Sequence, residues 1–174
     1  MKITNTLKNV KSLIIRGAQN SGKSITIQEV CKCLNPSEVY KLNFERKTLE
    51  ELEISEIFNG TYIIKVENEF ILIIAGAPTE QKYSITTILC ICIEICKERQ
   101  IQISFILSAR RFAERKGFDT TGKLFNTTGE LTEYTTLLKT IDIKSIGKDY
   151  KNSEKWDKRI EEIVQIIHNN LKRG

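Results

Sequence analysis

The chain has 174 residues, 40% of them hydrophobic and 28% charged, with a formal net charge of +5. That length buries one substantial core rather than two, and the balance is that of a folded soluble chain, which excludes a disordered or fibrous class. No stretch reaches the roughly 18 uninterrupted apolar residues of a spanning helix; the nearest, Ile85 to Cys96, is broken by Thr86, Thr87 and Glu94.

The start, MKITNTLKNVKSLIIRGAQ, carries Lys2, Lys8, Lys11 and Arg16 but no continuous apolar run before a small-residue cleavage site. It does not read as a secretory signal, and a cytoplasmic protein is expected. Ser12 to Arg16 reads as a buried strand from its Leu13, Ile14 and Ile15, stopped by Gly17. From Lys23 the pattern Ile25, Ile27, Val30, Leu34 predicts a helix. Asn35-Pro36 ends it, because the residue before proline disfavours helical torsions.

Val39 to Phe44 reads as a strand and Thr48 to Phe58 as a short helix, with Leu49, Leu52, Ile54 and Ile57 inward and Asn59-Gly60 closing it. Glu50, Glu51, Glu53 and Glu56 then form its wet face. Next come TYIIKV at 61 to 66 and FILIIA at 70 to 75. The three residues between them are too few for a parallel crossover, so the two runs form an antiparallel hairpin. The second run is apolar on both faces and belongs in the middle of a sheet.

Ser84 to Arg99 carries the stripe 85, 88, 89, 92, 96 of a helix. Ile101 to Leu107 reads as a strand followed by the basic segment SARRFAERKG, and 117 to 135 as a polar stretch able to act as a lid or simply as a long loop. Leu137 to Ile143 reads as a last strand. Ser153 caps a final helix that turns Trp156, Ile160, Ile163, Val164, Ile167 and Leu171 inward. No repeat, linker or low-complexity tract divides residues 1–174, so one domain is expected. Strands alternating with helices predict an α/β fold with a mainly parallel sheet covered on both faces and one antiparallel hairpin strand.

Five cysteines in an intracellular chain read as thiols, and an odd number cannot pair completely. Cys31 and Cys33 point to different faces of a helix and Cys92 and Cys96 to the same one. The single histidine, His168, lies near the end of the last helix and reads as a surface residue.

The chemistry is concentrated in GAQNSGKS at 17 to 24, which has the spacing G-x-x-x-x-G-K-[ST]. The string arises by accident in roughly one chain in a hundred of this length, and its position between an apolar strand and a helix reduces that further. The position is the one the physics requires. Backbone N–H groups of Gly17, Ala18, Gln19, Asn20, Ser21, Gly22, Lys23, Ser24 and Ile25 can curl round phosphate oxygens, aided by the helix N-terminus. Lys23 can reach the β- and γ-phosphates, and the Ser24 hydroxyl can ligate Mg²⁺.

Here the chain resembles the P-loop NTPase superfamily, with GAQNSGKS as its Walker A motif. The short loop after the first helix and the hairpin that brings in the second core strand resemble its kinase and GTPase branch. The resemblance implies a three-layer P-loop fold that binds ATP or another purine nucleoside triphosphate with Mg²⁺. It also implies a strand-end aspartate holding the ion through water. The best strand ends IIAGAPTEQ instead, leaving Glu80 as the acid nearest that position and Ser24 and Glu80 as the metal candidates. The guanine signature N-K-x-D is absent.

In small P-loop kinases, arginines comparable to Arg110 and Arg111 hold the substrate phosphate or close over the phosphoryl group in flight, while the segment reads equally as a solvated basic turn. Two functions are consistent with these residues. One is a small phosphotransferase, kinase or NTPase using Lys23 with Arg110 or Arg111. The other is a regulatory or assembly protein that hydrolyses slowly, for want of the strand-end aspartate, and uses bound nucleotide to select a partner. Net charge alone admits nucleic acid as a partner.

Overall fold

The computed structural model describes residues 7, 10–18, 21–121, 135–143 and 153–171. Gln19 and Asn20 of the loop, and most of the polar stretch expected over 117 to 135, lie outside the described residues.

Leu13, Ile14 and Ile15 form the fully buried middle of β1 (Val10–Gly17). Successive strand side chains point to opposite faces, so a run apolar on both sides needs cover on both. After the loop comes α1 (Lys23–Leu34), closed by Asn35, which takes a left-handed φ of 50° and donates its N–H to the Lys32 carbonyl. β2 (Glu38–Asn43) then turns back into β3 (Thr48–Glu51), with Tyr40 opposite Glu51 and Asn43 opposite Thr48.

The helix expected from Thr48 to Phe58 is therefore a strand followed by a 3-10 turn (Ile54–Glu56). Leu49 packs against one core while Leu52 and Ile54 pack against the other, an alternation that four apolar residues at near-helical spacing conceal.

β4 (Thr61–Val66) and β5 (Glu69–Ile74) make the expected hairpin across a two-residue turn, Glu67-Asn68. A four-residue helix, α2 (Pro78–Gln81), follows, and then α3 (Ile85–Arg99), whose cap Ser84 accepts a hydrogen bond from the Thr87 N–H. β6 (Ile103–Arg111) runs further than Ile101 to Leu107. Pairing with β1 as far as Gly17↔Arg111 supplies backbone partners, so Ser108 to Arg111 belong to the strand and do not follow it. β7 (Thr135–Ile143) and α4 (Glu154–Asn170) complete the chain, with Ser153 accepting from the Trp156 N–H at 3.2 Å.

The seven strands form one sheet in the order β3-β2-β4-β5-β6-β1-β7, with β5 in the middle as expected. The sheet is mixed and not mainly parallel. β5–β6, β6–β1 and β1–β7 pair parallel, whereas β3–β2, β2–β4 and β4–β5 pair antiparallel. Two hairpins, each with a turn too short for a crossover, make the β2–β3 and β4–β5 pairs, and β2–β4 pairing joins them.

One core lies between the sheet and the α1–α4 pair, and includes Leu13, Ile15, Ile73 and Ile163. The other lies under α3, with Ile14, Ile74, Ile88 and Ile106. The result is three layers, in which the sheet divides the one core expected from the length into two. Cys31, Cys92 and Cys96 are buried thiols and Cys33 is an exposed one. Burial pushes the Cys31 thiol well above its ordinary range. Among the described residues no helix is long and apolar enough to cross a membrane.

Candidate phosphate-binding site

β5, β6, β1 and β7 run in one direction, so their C-terminal ends share one edge of the sheet, where α/β proteins open their ligand crevice. Gly17, the last residue of β1, lies on that edge, and α1 starts from Lys23. A Cβ on Gly17 would stand 2.4 Å from Ser21 Oγ and 3.0 Å from the Ile143 carbonyl oxygen. Only a glycine lets the loop close so tightly against β7. Gly22, at φ 96° and ψ 18°, takes the left-handed turn that launches α1.

Gly22 has no side chain with which to cap that helix, and its first turn holds no acid. Ser21 Oγ is buried and has no hydrogen-bond partner among the described residues. Donors left open at a helix start beside an orphaned hydroxyl suit an anionic oxygen.

Lys23 turns back over the loop. Its Nζ donates to the Ala18 carbonyl at 2.7 Å and stands 3.6 Å from Glu80 Oε1, leaving the side chain 4% exposed. Burial lowers the lysine's pKa, opposed first by the nearby Glu80 carboxylate. Glu80 comes from α2, where Pro78 starts the helix just beyond the β5 tip. Gln81 braces this turn by donating to the Gly76 carbonyl at 2.5 Å and accepting from Thr61 Oγ1 at 2.9 Å. The same Glu80 Oε1 accepts from Arg111 Nε at 3.3 Å.

The two arginines separate. Neighbours on a strand face opposite ways, and of the two only Arg111 joins Lys23 at Glu80. Arg110 Nε donates to Glu114 at 2.8 Å, and Glu114, 4% exposed, also accepts from the Thr120 N–H at 2.9 Å and from the Thr120 hydroxyl.

Ser24 Oγ lies 2.8 Å from the Ala75 carbonyl and 2.6 Å from Asn59 Oδ1. One hydroxyl proton serves one acceptor. Turning the Asn59 amide over would let its NH₂ donate to Ser24 while Ser24 donates to Ala75. The sequence read Asn59 only as part of a turn. It reaches the site because Gly60 accepts from the Ala75 and Gly76 N–H groups, fastening that turn to the end of β5.

Sequence reasoning also missed the brace before the loop. Arg16, one residue from Gly17, grips Asp142 of β7 at 2.8 and 3.0 Å and lies over the Phe112 ring. The guanidinium holds the Asp142 carboxyl below its usual range. An Arg and an Asp 126 positions apart carry no local signal.

The two oxygens expected to hold a metal ion have other partners, Glu80 with two cations and Ser24 with Ala75 and Asn59. Among the described residues no three of His, Cys, Asp and Glu gather into a metal site. No family model, curated protein or solved structure matches this chain.

Proposed function

We propose that residues 17–25 bind the phosphates of a purine nucleoside triphosphate, ATP in the first instance, and that the three-layer fold is of the P-loop NTPase kind. The observation that carries this reading is the convergence of Lys23 and Arg111 on one carboxylate oxygen beside the uncapped start of α1. Two cations that meet where a helix begins suit an anion, and the glycine positions let backbone N–H groups approach it.

In this site the loop amides and Ser21 Oγ hold phosphate oxygens, Lys23 neutralises their charge, and Arg111 reaches the terminal phosphate from β6. Ser24 Oγ and the Ala75 carbonyl offer oxygen ligands for a hard cation, which fits Mg²⁺ carried largely by water and phosphate oxygens. The ion would supply charge neutralisation at the phosphates.

Phosphoryl transfer with Lys23 and Arg111 in charge-stabilising roles is one use of such a site. The other reading, a slowly hydrolysing protein whose bound nucleotide selects a partner, is favoured by a β5 tip that ends Ile74-Ala75-Gly76 without an acid.

Lys23→Met tests the binding itself. The methionine keeps an unbranched stem in the space of a buried side chain while removing the charge. ATP affinity should fall by about tenfold or more, equivalent to about 1.4 kcal/mol, with an unchanged thermal transition. Equal affinity in a folded variant refutes the phosphate-loop reading.

A further inference from the structure

We infer that Glu80 is the resident anion of this site and a specificity-determining residue: it makes the loop discriminate against metal-free triphosphate. The inference rests on the phosphate-loop reading and gives Glu80 a role other than metal ligand.

Glu80 Oε1 lies between Lys23 Nζ at 3.6 Å and Arg111 Nε at 3.3 Å, the place that an anionic ligand oxygen bound by those two cations would take. The helix that carries this carboxylate is anchored. It starts at Pro78, packs on β6 and is tied to the sheet edge by Gln81 and Thr61. A triphosphate entering the loop therefore competes with Glu80 for both cations. Displaced from them, the carboxylate stays within side-chain reach of the phosphates, where like charges repel. A metal-bound triphosphate carries part of its own neutralisation and meets less of this repulsion. A metal-free one meets all of it.

A metal-supporting acid behaves in the opposite way. Removing it weakens the metal-bound form and leaves the metal-free form unchanged. The sign of the effect of Glu80→Gln, which keeps the shape and removes the charge, decides between the two roles.

The full chain and its Glu80→Gln variant are titrated with ATP and with inorganic tripolyphosphate, each in excess Mg²⁺ and in chelator. Glu80→Gln should tighten both metal-free ligands by about tenfold and change the Mg²⁺ forms much less, so that the preference for metal-bound ligand shrinks. Glu80→Asp, which keeps the charge, should retain the wild-type preference. Unchanged or weakened metal-free binding by Glu80→Gln, in a wild type whose binding is sensitive to Lys23→Met, overturns the inference and leaves the phosphate loop intact. Failure of wild type and variant alike to bind tripolyphosphate or ATP overturns both.

Discussion

Arg110 and Arg111 are adjacent in sequence and differ in environment. Arg111 shares Glu80 with Lys23, whereas Arg110 neutralises Glu114, a carboxylate with only 4% of its side chain exposed. Arg111→Ala should therefore weaken triphosphate binding or, if the protein transfers phosphoryl groups, lower turnover more than affinity. Arg110→Ala should leave ATP affinity unchanged and cost about 2 kcal/mol of stability. It strips a buried carboxylate of its cation while Thr120 keeps two of its hydrogen bonds. Affinity and urea denaturation measured on both variants check the division, and equal effects would contradict it. The pattern R-R shows two cations. Only strand pairing, which carries β6 through Arg111 and sets Gly17 beside it, determines which one faces the loop.

Among the elements, the β4–β5 hairpin was the most legible, because two apolar runs three residues apart admit one connection. Its turn is nevertheless imperfect. Glu67 and Asn68 sit at φ 50° and 66°, left-handed torsions that tight hairpins need and that glycine adopts without steric cost. Asn68→Gly should raise stability by about 0.5 kcal/mol and the melting midpoint by about 1–2 °C. A lower midpoint would mean that the Asn68 side chain contributes more than its torsion costs. The β3 segment was illegible for the opposite reason. A strand of four residues with one half-buried leucine has too little period to read, and its identity comes from the β2 partner.

At the scale of the whole molecule, both cores are built on opposite faces of one sheet, with Ile73 facing the α1–α4 layer and Ile74 facing α3. Loss of either core exposes the same strand, so the layers should unfold together. Ile73→Ala and Ile74→Ala should each cost about 2–5 kcal/mol. Each should move the Trp156 fluorescence transition and the far-ultraviolet circular dichroism transition by the same amount in urea. Trp156 belongs to the α1–α4 side alone. A dichroism transition that shifts in Ile74→Ala while fluorescence stays in place would show the layers to be separable.

By itself the sequence determined what is local. Apolar runs and helical stripes placed β1, α1, β4, β5, α3 and α4, and the spacing of Gly17, Gly22, Lys23 and Ser24 marked the loop, because hydrophobic periodicity and glycine torsions act within a few residues. The tertiary structure decided the mixed sheet, the neighbours of β1, and the meeting of Lys23, Glu80 and Arg111 from three elements. It also decided the Arg16–Asp142 brace and the arrival of Asn59 beside Ser24. These depend on pairing register and on the packing of distant segments, whose free energies come from whole faces of the sheet, so no single stretch of the chain encodes them.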